Sequence, residues 1–408
     1  MAEYKGKAFL KAQLTAKQTR VRMRYRYYEM KNTVSYFGRL IPAEFRWMAE
    51  TLGWCGKSVD ALADRLSFRE FRNDNFDLNT IFAMNNGDIL PDSAILSALV
   101  ASCCFIYISE DPNGYPRLQV IDGGNATGIK DPITGLLTEG YAILHRDTFG
   151  NPELEAYFVA GRTEYYKGNV LVRTDYNPAE YPLLVPIVYR PDAMRPFGHS
   201  RISRACIALM QGALRTLLRS EVSAEFYSFP QKYITGLSAD AETFEKFQAY
   251  ISSFLSFTKD EDGDSPKLGQ FTQQSMSPYT EQLRTFASLF AGETGLTLDD
   301  LGFPTDNPSS AEAIKSAHEN LRLSARKAQK NFGSCLLNVG FLSACVRDDF
   351  PYQRNQFYLT KAEWEPVFEP DAAMLSGIGD GIGKINQAVP GYFGKNNLRS
   401  MTGIDPEE

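Results

Sequence analysis

Leu301-Gly302-Phe303-Pro304-Thr305-Asp306-Asn307-Pro308-Ser309-Ser310-Ala311-Glu312 is a loop that ends by starting a helix. Pro308 cannot sit in a helix interior but suits a first turn, and Asp306, Asn307 or Ser309 can cap the exposed amides. From Ala311 the chain stays helix-compatible to about Val346, apart from two glycines. Ile314, Ala317, Leu321, Ala325, Ala328, Phe332, Leu336, Val339 and Leu342 fall on one broad side of that helix, with Lys315, Arg322, Arg326, Lys327 and Lys330 elsewhere. A helix of this length needs several neighbours, within the chain or in adjacent copies. Repeated around a ring, a loop pointing at the axis would form a constriction with Phe303 and Pro304 at its stiff tip. An ordinary interhelical loop with Phe303 tucked into a core fits the same residues.

Working outward, a helix is expected over Thr280 to Ala291, just before the loop. Upstream lie a strand at Leu268 to Thr272, the acidic run Asp260-Glu261-Asp262-Gly263-Asp264, a helix over Ala239 to Phe257 and a strand at Lys232 to Thr235. A further helix from about Ser200 to Tyr227 carries Ile202, Cys206, Met210, Leu214 and Leu217 on one face. The chain thus leaves through one long helix, makes a small excursion and returns through a second. That layout predicts a stalk with a small domain at its tip.

The first half changes period. Residues 5 to 30 read as a basic helix containing Lys5, Lys7, Lys11, Lys17, Arg20, Arg22, Arg24 and Arg26. A solvated face packed on a neighbour, or contact with a polyanion or acidic subunit, would each use it. Helices follow near Ser58 to Leu66 and Ser93 to Cys104. Short β-prone runs come next at Phe105–Ser109, Leu118–Ile121, Tyr141–His145, Leu154–Val159, Thr163–Tyr166 and Val170–Thr174, with Pro-, Gly- and Asn-containing turns between several of them. The class is α+β, with a domain boundary near Tyr189 to Gly198.

With 408 residues the chain exceeds one ordinary domain, and 43% hydrophobic content supplies real cores. A net charge of −6 argues against a protein that grips nucleic acid, yet suits one that lets a polyanion slide past. The six cysteines contain no C-x-x-C pair and read as buried free thiols of a reducing compartment. No signal-peptide core and no run of ~18 apolar residues occurs, so no membrane is expected.

Chemistry finds little material. The three histidines, His145, His199 and His318, lie in different elements, which leaves no zinc set or His-based triad. Gly198-His199-Ser200-Arg201-Ile202 imitates a nucleophile elbow, but the final glycine is missing and a proline turn precedes it. Ser200 or Ser203 is better employed as a helix cap. Gly123–Lys130 and Gly377–Lys384 miss the phosphate-loop spacing and read as flexible turns. The acidic run is too short for an EF-hand. No catalytic residue, metal or cofactor is expected.

Pro196-Phe197-Gly198-His199-Ser200-Arg201-Ile202 opening a helix resembles the start of the first stem helix in portal proteins of tailed double-stranded DNA bacteriophages. Thr305 through Ile314 is similar to that family's tunnel loop and following helix. Gly53-Trp54-Cys55-Gly56-Lys57-Ser58-Val59-Asp60, Val389 to Phe393 and Leu398 to Ile404 resemble it too, so the likeness runs from about residue 40 to the end.

The resemblance implies a portal fold of wing, long-helix stem and small α/β clip, assembled as a ring of about twelve subunits around a channel. The wing would comprise residues 1–199 and 310–408, the stem 200–229 and 279–309, and the clip 230–278. Gly198, Ser200 and Arg201 would begin the stem. Asp299, Asp300, Phe303, Pro304, Thr305 and Asn307 would line the DNA channel, the two aspartates discouraging tight phosphate contact. Asp260, Glu261, Asp262 and Asp264 of the clip would dock the motor. Implied partners are double-stranded DNA passing non-specifically, the terminase large subunit, head-completion adaptors, the major capsid protein and scaffold. The implied place is the portal vertex of the virion, after assembly in the host cytoplasm. The sequence stops soon after its closing motif, so the family's helical crown is expected to be reduced, absent or trimmed from this sequence. A non-viral ring-forming scaffold is the alternative, and a Ser200 hydrolase a remote third.

Overall fold

The computed structural model describes residues 4–32, 51–228, 232–235, 267–270, 275–304, 316–368, 370 and 372–404. It divides into two compact units: Met1–Asn32 with Gly53–Ile207 and Ala291–Glu408, and Thr33–Leu52 with Ala208–Phe290.

The first unit is layered. Strands β4 (Ala126–Lys130), β5 (Leu137–Arg146), β6 (Pro152–Val159), β7 (Arg162–Lys167) and β8 (Val170–Tyr176) form an antiparallel meander in sequence order. Their period of two separates the faces. Ala142, Ala156 and Phe158 face the sheet formed by β3 (Pro116–Asp122), β2 (Cys103–Glu110) and β9 (Leu184–Val188), where Phe105, Tyr107, Ile121 and Leu184 complete a core. Tyr141, Ile143, Tyr157 and Val159 face Leu10 and Leu14 of helix α1 (Lys7–Tyr28). Helix α4 (Ile89–Ala101) and the 29-residue helix α7 (Glu319–Arg347) pack on the three-stranded sheet. Helices α2 (Trp54–Ala63) and α3 (Leu78–Ala83) add to this layer, and strand β1 (Phe68–Arg72) pairs antiparallel with β12 (Lys361–Trp364). Helices α8 (Ala372–Ala388) and α9 (Lys395–Thr402) close the described chain.

The second unit contains most of α5 (Arg204–Ser228) and α6 (Ser277–Thr294), with the antiparallel pair β10 (Lys232–Thr235) and β11 (Lys267–Gln270). The helices run antiparallel, because Gly212 abuts Phe286, Thr216 bonds Gln282 at 3.0 Å and Ser223 bonds Tyr279 at 2.8 Å. A Cβ on Gly212 would lie 2.7 Å from the Phe286 ring, so the glycine admits that ring.

Several expectations are corrected. Helix α4 starts at Ile89 rather than Ser93 and stops at Ala101, and Cys103 and Cys104 already belong to β2. Ser102 has a positive φ of 89°, which makes the break. Gly123–Lys130 is only partly a turn, since Ala126–Lys130 is a strand. A Cβ at Gly128 would meet the Glu139 carbonyl at 2.6 Å, so that glycine serves close strand approach. Gly377–Lys384 is not a turn but the middle of α8. Met374, Ile378, Ile382 and Ile385 recur at helical spacing there, with Ile382 buried, and the helix forms despite glycine's cost of about 1 kcal/mol each. The long helix is described from Glu319, after a short helical turn at 316–317. The expected helix over 239–257, the acidic run 260–264, and residues 305–315 lie outside the described residues. All six cysteines are free, and five are buried. Among the described residues no helix is long and apolar enough to cross a membrane.

Candidate functional site

The segment preceding α5 and the segment following α6 meet within the first unit. Asp192 organises the turn that precedes them. Its carboxylate accepts the Met194 and Arg195 amides at 2.8 and 2.7 Å and faces the His199 ring at 2.5 Å. His199 and these amides hold the Asp192 carboxyl below the usual carboxylate range. Gly198 then has φ +70°, and a Cβ there would stand 2.0 Å from the Tyr189 carbonyl oxygen. No other residue fits that position without moving backbone.

Arg201 is the centre of the junction. Its residue is 8% exposed, yet it carries a guanidinium. The backbone amide donates to the Leu99 carbonyl at 2.8 Å, Nε donates to the Ser58 carbonyl at 3.1 Å, and a terminal nitrogen donates to the Thr294 carbonyl. One side chain therefore ties α2 and the end of α6 to the entry of α5. Burying such a charge is costly unless its donors are met, and carbonyls meet them here.

The two serines divide their labour. Ser203 caps α5 by accepting the Cys206 amide at 3.1 Å, and it donates to Glu293 of α6 at 2.9 Å. Ser200 donates to the Val100 carbonyl at 2.6 Å and accepts the Ile202 amide at 3.0 Å. That hydroxyl is occupied by backbone, which is a structural duty and not a nucleophile's setting. Helix capping was legible at Ser203. The partners of Arg201 were not, because backbone carbonyls leave no mark in sequence.

After α6 the chain turns at Gly295, φ +70°, whose amide returns to the Ala291 carbonyl at 2.8 Å. A short 3-10 helix, Asp299–Leu301, follows and ends at Gly302, φ +90°. Asp300 is turned inward: its Oδ2 accepts the Thr297 amide and hydroxyl, each at 2.9 Å, and lies 3.5 Å from His318. Partial burial pushes its carboxyl up, but the Thr297 bonds and His318 outweigh this and hold it below the usual range. Leu301 is buried, Phe303 half-buried and Pro304 exposed, and the Phe303 amide donates to the Leu298 carbonyl at 3.0 Å. Of the six channel residues expected, these bring Asp299, Asp300, Phe303 and Pro304 to one short segment. Thr305 and Asn307, like the clip acids Asp260, Glu261, Asp262 and Asp264, are outside the described residues.

The basic helix α1 is docked rather than bare. Lys11 pairs with the buried Glu155 at 2.6 Å, Lys17 donates to the Ala126 carbonyl at 2.6 Å, and Arg24 donates to the Ala101 carbonyl at 2.7 Å. The buried Glu139 accepts the Lys5 and Gly6 amides at 2.7 and 2.8 Å, placing a carboxylate at the helix N-terminus.

Comparison with known proteins gives these structural features a context. No family model matches the chain. It is 26% identical over 332 residues to the portal protein of Mycobacterium phage L5, covering 75% of this chain and 67% of the relative. The portal protein of Mycobacterium phage D29 is 26% identical over 333 residues, with the same coverage. Among solved structures, a chain from the virion of a native gene transfer agent particle gives a TM-score of 0.47 at 14% identity, covering 87% of this chain and 90% of that one. A chain from the neck of the native particle gives 0.48 at 14% identity with the same coverage. In sequence, this chain is similar over three quarters of its length to portal proteins of mycobacteriophages, the resemblance its own motifs carry.

Proposed function

We propose that this chain is a subunit of a phage head–tail connector that forms a ring and passes double-stranded DNA through its centre. The carrying observation is the similarity to two phage portal proteins over more than 330 residues. The junction supports it. A chain segment leaves the first unit at α5 and re-enters at the end of α6, and a single buried guanidinium joins both points. Load on a helical pair is best resisted where its two ends are tied by bonds sheltered from water.

On this view α5 and α6 are the stem, residues 230–278 the clip that meets the terminase and later the adaptors, and residues 293–309 the part nearest DNA. The overall −6 charge suits a conduit that does not hold phosphate. Asp299, Phe303, Pro304, Thr305 and Asn307 would face the channel, while Asp300 spends its carboxylate on Thr297 and serves the loop's shape. Chemical work would belong to the motor, and the ring would sit in the virion among capsid and adaptor subunits.

The test is genome packaging by capsids assembled with and without this chain. DNA protected from nuclease only when the chain is present is expected. Equal protection in its absence would remove the proposal.

A further inference from the structure

One cleft of the first unit concentrates positive charge: none of its four cations makes a salt bridge among the described residues, and Lys17 feels Asp122 only at longer range. It has a volume of about 400 Å³ and lies between α1, the C-terminal end of α4 and the turn before α5. Lys17, Arg20, Arg24 and Arg195 line it, beside Ala16 and Phe197. Lys17 reaches inward to the Ala126 carbonyl, and Arg24 gives one bond to Ala101. Arg20 has no hydrogen bond or ion pair among the described residues. Burial, with repulsion from Arg20 and Arg195, pushes the Arg24 guanidinium down to about 10. Such crowding of cations is unfavourable until an anion joins them.

The opposite end of α4, together with Asp64 at the end of α2, carries the complement. Asp64, Asp88 and Asp92 are exposed, and none has a hydrogen bond or ion pair from its side chain among the described residues. Partial burial, then Asp88 and Asp64, raises the Asp92 carboxyl. Close in sequence to these acids, Ile89 is 67% exposed and Met84 51% exposed. Thirteen residues of one helix separate the acidic end from the basic end, about 20 Å at 1.5 Å per residue. Two unlike, complementary patches on one subunit are what a head-to-tail contact needs, and such contacts make a ring when the rotation between copies closes.

We propose that the Lys17–Arg20–Arg24–Arg195 cleft receives the Asp64–Asp88–Asp92 face of a second copy of this chain. This rests on the ring assembly proposed above and assigns its subunit contact. Aspartates on a helix end, with Ile89 and Met84 to meet Ala16 and Phe197, suit a recess of this size. A duplex presents its phosphates as a broad convex row, which fits the inward position of Lys17 less well.

Charge reversal tests it in the full-length chain, with particle mass measured against concentration. Arg20→Glu, Arg24→Glu and Arg195→Glu together take the cleft from four positive charges to a net −2, so both patches are acidic; Asp88→Lys with Asp92→Lys takes the other face from −3 to +1, so both are basic. Each alone should need about tenfold more protein to form rings, and the two mixed should recover rings of alternating subunits. If that triple variant is not folded by circular dichroism, Asp88→Lys with Asp92→Lys alone carries the test, rings at wild-type concentration overturning the contact. Rings from either variant at wild-type concentration, including rings that merely lose duplex DNA, would overturn this contact and leave ring assembly standing. Loss of rings that mixing does not recover would also overturn it. A wild-type chain without rings would remove both proposals.

Discussion

Helices α1 and α7 are both long, both cationic in part and both legible in sequence, yet they are held by different physics. Helix α7 buries Leu321, Ala325, Ala328, Phe332, Leu336, Val339, Phe341 and Leu342, and its lysines and arginines mostly look outward. Helix α1 buries only Leu10, Leu14, Val21 and Tyr27 and is otherwise fastened by polar bonds. Its anchors are Glu139 and Glu155, two carboxylates sealed in the sheet with Tyr157 and Tyr141 bonded to them at 2.7 and 2.5 Å. A run of positive charge is therefore not by itself a surface for polyanions. Here Lys11 is the complement of Glu155 hidden in the sheet, while Lys17 and Arg24 spend donors on backbone carbonyls.

The contrast can be broken most forcefully at α7. Phe332→Ala should cost about 3–5 kcal/mol in denaturant unfolding, because the ring is fully buried and stacks near Tyr189. A cost under about 1 kcal/mol would mean that packing does not hold this helix. Next comes the junction, where Gly198→Ala adds a methyl against the Tyr189 carbonyl at a positive φ. A loss of about 2–3 kcal/mol is expected by the same measurement.

At α1 the effect should be smaller and local. Glu139→Ala removes acceptors for the Lys5 and Gly6 amides and the Tyr157 hydroxyl. About 1–3 kcal/mol should be lost, seen as faster amide exchange in α1 with α7 unchanged. Equal acceleration in both helices would contradict separate fastening.

The mildest probe is alkaline pH. Burial first, then the bonded carboxylates, push the Tyr141 and Tyr157 phenols above their ordinary value of about 10. Because the folded-state value is raised, the stability they contribute is complete below about pH 10 and declines as pH rises above it. The part of the phenolate absorbance lost in a Tyr141→Phe, Tyr157→Phe variant should therefore appear together with unfolding, after the exposed phenols have ionised. Ionisation of these two phenols in an intact fold would contradict the buried polar seat of α1.

What the sequence disclosed follows from range. Alternation with Pro-Asn-Gly punctuation located β2, β3 and β5 to β8, since those signals lie within each strand or its turn. Strand β1 escaped because its partner β12 lies almost 300 residues away and neither carries a strong pattern. Strand β9 escaped because Pro186 weakens its run, and it is tolerated as an edge strand beside β2. Helix α8 was hidden by its glycines. At the junction Ser203 was legible as a cap, whereas the role of Arg201 was not. Its partners Ser58, Leu99 and Thr294 act through carbonyls that every residue type shares.

Ring formation is the claim on which the functional account stands, and end-on electron microscopy of the purified full-length chain addresses it most directly. The account predicts closed rings of about twelve copies around an open central channel. A monodisperse monomer with no channel, persisting across salt and protein concentration, would contradict it.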